Sequence, residues 1–134
     1  MEAKHKYQLS KVINQIDDVI TNTEEIKNAY NYVSNETINT EQLLEKVLKN
    51  IATNIGNVWF KTNFNTTEYD VLNEILKTLH TVKKDDSQEY SVTILDAQGQ
   101  HDEIENREQF LLGILEWASE YITENINLNL SEEL

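Results

Sequence analysis

Apolar residues recur with helical spacing four times along this chain and with strand spacing at one place. That contrast limits the fold more than any single motif does. Leu9, Val12, Ile13, Ile16, Val19 and Ile20 follow the i, i+3, i+4 rule of an amphipathic helix over about residues 5–21. The phase runs on through Ile26, Tyr30 and Val33, so one long helix, bent near Thr21, is the favoured reading. Thr21 and Glu24 have the spacing of a capping box, which makes a separate second helix the alternative. The second stripe is Leu44, Val47, Leu48, Ile51 and Ile55, opened by a cap at Asn39–Gln42, with Gly56 placed as a left-handed terminator. A third stripe, Tyr69, Leu72, Ile75, Leu76 and Leu79, follows the cap spacing Asn65–Glu68. It ends on Lys83 and Lys84, where the helix dipole favours positive charge. The fourth and strongest runs from Phe110 to Ile122 behind Asn106–Gln109.

Between the third and fourth stripes the period changes. Tyr90, Val92 and Ile94 alternate with Ser91 and Thr93, which is strand spacing. Gly99 supplies a turn, and residues 101–106 return as a short, ragged strand with Ile104 facing inward. Two strands alone are marginal in water, so Val58–Phe60 is a candidate third strand. The expected fold is a predominantly helical α+β domain. It has four to five amphipathic helices and a small β-hairpin, three-stranded if Val58–Phe60 joins, inserted before the last helix. Residues 1–126 form the domain, and residues 127–134 an acidic, frayed tail.

Charge divides the chain. Residues 1–84 hold eleven acids and ten bases, whereas residues 85–134 hold thirteen acids and one base, Arg107. Nearly all of the net charge of −13 therefore sits in the last 50 residues. Such segregation speaks of a charged partner more than of a fold. It weighs against direct contact with nucleic acid, whose phosphates require Lys and Arg, and against an acidic membrane surface. The N-terminus shows no secretory signal and no apolar run approaches a membrane span, so the expected compartment is the cytoplasm. Sixteen asparagines among many Ile and Lys fit a bacterial or phage source with AT-rich coding.

Catalytic and metal chemistry find little support. Without cysteine there is no thiolate zinc site and no cysteine nucleophile. A calcium loop starting at Asp96 fails, because His101 stands where glycine is required and Arg107 where glutamate is. Glu105 and Glu108 form one half of a paired-carboxylate magnesium motif, and no second half follows. His5, His80 and His101 are each isolated, His101 reading as a turn residue, and no phosphate-cradling or nucleophile-elbow motif occurs. No catalytic residue, cofactor or metal ligand is assigned. Trp59 and Phe60 read as core plugs, with an aromatic interface anchor as the alternative.

The last stripe carries the functional expectation. Glu116, Glu120 and Glu124 stand at successive i, i+4 positions, and the row extends back through Leu112 to Glu108. Like charges at this spacing destabilise a helix by roughly 0.2–0.5 kcal/mol per pair. No lysine follows position 84 to relieve them. The hairpin adds Asp96, Asp102, Glu103 and Glu105. The expected partner-binding set is therefore Asp96, Asp102, Glu103, Glu105, Glu108, Leu112, Glu116, Glu120 and Glu124, with Leu112 as an exposed apolar contact. The function this favours is a small acidic protein of the immunity, antitoxin or anti-defence type. It would bind and neutralise a basic partner, such as a nuclease or another nucleic-acid-binding enzyme, and would not itself be an enzyme. Two alternatives stand beside it: an assembly module or homo-oligomer that pairs through the seam of helix one, and a small metal-dependent hydrolase.

Overall fold

The computed structural model describes residues 1–85 and 87–129. Along them run α1 (Ala3–Thr21), α2 (Thr23–Ser34), α3 (Thr40–Phe60), α4 (Thr67–Lys84), β1 (Glu89–Asp96), β2 (Gly99–Asn106) and α5 (Arg107–Asn125). This is the expected predominantly helical α+β fold, with five helices and a two-stranded antiparallel hairpin before the last one.

The four stripes turn inward on one core. Leu9 and Ile16 of α1, Leu44, Ile51 and Ile55 of α3, Leu72 and Ile75 of α4, and Leu111, Leu115 and Ile122 of α5 are all essentially inaccessible to water. Each side chain buried this way contributes about 1.5–3 kcal/mol of transfer free energy. Helix α5 packs against α1, α3 and α4 and also carries the hairpin. The apolar seam of α1 is spent on α3 and α5, so it is not a free surface for pairing with another chain.

Local chemistry corrects several boundaries. The first helix is broken rather than bent: Asn22 leaves helical geometry at φ −127°, ψ 41°, and Thr23 turns its hydroxyl back to the Val19 carbonyl at 2.6 Å. The expected Thr21–Glu24 capping box does not form, because Asn22 is the N-cap and Glu24 pairs with Lys27 at 2.8 Å. The break shifts the phase. No residue of α2 is fully buried, Ile26 and Tyr30 lean on the core, and Val33 points to solvent.

Gly56 does not terminate α3. The helix runs to Phe60, because Val58 continues the buried stripe past the glycine and Trp59 adds partial burial. Val58–Phe60 is therefore helical, and no third strand joins the hairpin among the described residues. Asn39–Gln42 and Asn106–Gln109 form full capping boxes as their spacing predicts. The α4 cap is one residue later than expected, at Thr66, whose hydroxyl accepts from the Tyr69 amide at 3.2 Å.

The return strand is regular rather than ragged, with eight residues on each side and a two-residue loop, Ala97–Gln98. Gly99 takes φ +100°, which other residues rarely adopt, and closes the turn. The register sets Ser91 opposite Ile104 and Val92 opposite Glu103. Paired residues share a face, so Ile104 lies with Ser91, Thr93 and Leu95, away from Val92 and Ile94. It points outward and is 72% exposed, contrary to the inward placement expected of it. Of the tail, residues 130–134 lie outside the described residues. Before them Ile126 is buried and Leu128 packs against the core.

Candidate partner-binding surface

Asn106 ends β2 and caps α5 at once, accepting from the Gln109 amide at 2.8 Å while its own amide donates to the Gln109 side chain at 3.0 Å. The next residue is Arg107, the one base after position 84, and it is 4% exposed. Its guanidinium donates to the Val82 carbonyl at 3.2 Å, to Glu45 at 3.5 Å and to the Tyr90 hydroxyl. Tyr90 in turn stacks on Phe110, with centroids 3.8 Å apart and planes 4° from parallel. Four elements thus meet on one cation: α3, the end of α4, β1 and the start of α5. Burial would lower the guanidinium pKa, but the Tyr90 hydroxyl and the Glu45 and Asp85 carboxylates outweigh it and hold the pKa above its ordinary value. Asp85 is itself held below the usual carboxylate range, chiefly by the Ser87 hydroxyl at 2.6 Å and the Ser87 amide at 2.9 Å.

The consequence for the surface is direct. The sole counter-ion of the acidic half is turned inside, where it is matched by a glutamate from the other half. Glu116, Glu120 and Glu124 are exposed along the outer side of α5, and none has a cation within salt-bridge reach among the described residues. Lys4 pairs with Glu2 instead, and Lys11 and Lys46 lie over the rings of Tyr7 and Tyr30. Ser119, on the turn between Glu116 and Glu120, meets Asp17 of α1 at 3.5 Å, which brings a further carboxylate beside the row. From Glu108 to Glu124 the row spans about 24 Å at 1.5 Å per residue.

The other expected residues divide. Glu108 is half-buried in the first turn of α5, where the helix dipole favours its charge. Leu112 is half-buried too. Part of its side chain packs on the core, so it is less free than its place in the row suggests. On the hairpin, Asp96, Glu103 and Glu105 share one face, and Asp102 stands on the opposite face, accepting from Thr93 at 2.9 Å. His101 is a strand residue, not a turn residue. It lies 3.0 Å from Glu103 and 3.7 Å from Asp96. The hairpin acids therefore form two small sets rather than one extension of the α5 row. No three His, Asp or Glu side chains converge as a metal site would require among the described residues.

Sequence reasoning missed two features. Arg107 looked like an isolated base, and only its position directly after a cap, at the start of a buried stripe, hinted at its burial. Phe64 drew no attention, yet it is exposed near the α3–α4 turn; so is Phe60, contrary to the core placement expected of it, while Trp59 packs inward with its ring 5.5 Å from Tyr69. The described residues also hold no helix long and apolar enough to cross a membrane.

Comparison with known proteins adds a single finding. No curated protein and no solved structure gives a significant match. The profile of the TscA antitoxin family matches residues 64–130, half of the chain. The matched half holds α4, the hairpin and α5, which includes every residue of the expected acidic set. On that match the chain belongs to the TscA antitoxin family.

Proposed function

We propose that this protein neutralises a toxin by seating the carboxylate row of α5 on a basic surface of it, the surface with which the toxin holds nucleic acid. Family membership supports a protein partner, the toxin. The observation that carries the mechanism is the combination of three exposed glutamates with no cation beside them among the described residues and a lone arginine sequestered in the interior. A helix that keeps Glu116, Glu120 and Glu124 in register forgoes stability, since each neighbouring pair repels. Docking on lysines and arginines relieves that repulsion and steers encounter through long-range attraction. Glu116, Glu120 and Glu124 are the principal contacts, Glu108 and the exposed edge of Leu112 lie at one end, and the two hairpin sets, Asp96, Glu103 and Glu105 on one face and Asp102 on the other, add to the negative field without continuing the row. The target chemistry is that of a nuclease or another nucleic-acid-binding enzyme, whose groove carries cations to hold phosphates.

The test is growth rescue. Cells expressing the toxin are expected to survive with the native chain and to fail with Glu116→Lys/Glu120→Lys, at equal levels of folded protein. Full rescue by the charge-reversed chain would remove the α5 row from the mechanism.

A further inference from the structure

We propose that the outer edge of β1 pairs with the same edge of a second copy of this chain, making a four-stranded sheet in the order β2–β1–β1–β2. This goes beyond toxin neutralisation and does not depend on it. Among the described elements, α5 is the only one besides its partner strand that packs against either strand of the hairpin, so the outer edge of β1 is uncovered. In an antiparallel pair every second residue directs its N–H and C=O away from its neighbour, and along β1 those groups have no strand to meet. The two edges differ in chemistry. Residues 90–95 of β1 carry no charge, whereas β2 carries His101, Asp102, Glu103 and Glu105. Charge is the common means of blunting an edge, and here it protects β2 alone.

The pattern on β1 complements itself. A two-fold axis at Thr93 sets each Thr93 against the other, and on the α5-facing side sets Val92 of each copy beside Ile94 of the other. Val92 and Ile94 are half-exposed in the single chain. Together with their counterparts they would close a four-residue apolar cluster. Both acidic strands would then lie at the far edges of the sheet, as distant from one another as its width allows. The helical bundles would stand at opposite ends, because the Ala97–Gln98 loop lies at the end of each hairpin opposite the Glu89–Asn106 pair, where the strands join α4 and α5. These features suit a second copy better than an arbitrary strand. A two-stranded hairpin is marginal by itself, and four strands are not.

The interface is small, so a dissociation constant in the micromolar range is expected. Sedimentation of the full chain should show dimer growing as concentration rises through about 1–100 µM. Thr93→Pro, which a strand edge tolerates when its N–H faces outward, should weaken self-association at least tenfold with the circular dichroism unchanged. The chain has no cysteine, so single substitutions report the register without background. Thr93→Cys should cross-link to itself on oxidation, because the two Cα atoms across the axis would be about 4.5–5.5 Å apart, within disulfide reach. Ser91→Cys should cross-link to Leu95→Cys when the two are mixed. A chain that stays monomeric to about 100 µM, with no Thr93→Cys cross-link, would overturn the proposal. So would a dimer that Thr93→Pro leaves intact. Full toxin neutralisation by Glu116→Lys/Glu120→Lys with self-association preserved would count against the proposed function alone, so the two failures are separable.

Discussion

The inner and outer sides of α5 are built from the same nineteen residues and obey opposite rules. Inward, Leu111, Leu115, Ala118 and Ile122 interlock with three other helices and exclude water. Outward, Glu116, Glu120 and Glu124 repel one another and meet no cation among the described residues. The inner side maximises stability, and the outer side gives some of it up. Four of the 24 acids lie on this helix, and three of them align on the side away from the core. Because the other side is rigidly packed, that row is held in a fixed geometry, as a preformed binding surface would need.

The largest effect should come from the inner side. Leu115→Ala is expected to lower unfolding free energy by about 2–5 kcal/mol through lost burial and an unfilled cavity. Leu95→Ala, on the exposed hairpin face, should change it by less than about 0.5 kcal/mol. Urea titration of both variants measures the difference directly.

Next comes the joint between the two regions. Arg107→Ala removes the donor shared by Val82, Glu45 and Tyr90 and is expected to cost about 1.5–3 kcal/mol, the range for hydrogen bonds to a charged group. The same change should loosen the hairpin first, visible as faster amide exchange in β1 than in α3.

The outer side should respond with the opposite sign. Glu120→Lys replaces two repulsive i, i+4 pairs with two attractive ones, so stability should rise by about 0.8–2 kcal/mol while toxin affinity falls. A variant that gains stability and also keeps its affinity would break the contrast between the two sides of the helix.

The smallest effect concerns acid. Asp85 has a folded pKa below its unfolded one, so its contribution is present above the unfolded value and is lost as pH falls through the folded value. Protection of the Ser87 amide, taken relative to its intrinsic exchange rate, should therefore be lost only at a pH below the usual carboxylate range, and Asp85→Asn should remove that dependence.

Much of the architecture was legible from period alone, since each buried stripe needed only its own spacing and two of its caps only an Asn–Gln pair. The misreadings share a cause. At Asn22, Gly56 and Ile104 a local signal competed with tertiary packing, and packing decided. A phase that looks continuous through Val33 says nothing of where the core ends. A glycine terminates a helix only if no buried residue follows, and Val58 follows. Ile104 was assigned inward for being apolar, but strand register, set by the two-residue loop, placed it outward. The acidic row on α5 was readable because helix spacing fixes which residues align. Whether lysines from distant helices relieved it depended on contacts across the whole chain. The burial of Arg107 depended on the same contacts, through partners 25 and 62 residues away.

The most direct test of the account is the salt dependence of toxin association, measured by stopped flow for the native chain and for Glu116→Gln/Glu120→Gln/Glu124→Gln. If the exposed row guides and seats the toxin, the native rate constant should fall by about tenfold or more as salt is raised, and the triple variant should start lower and change little. Equal rates and equal salt slopes for the two proteins would contradict it.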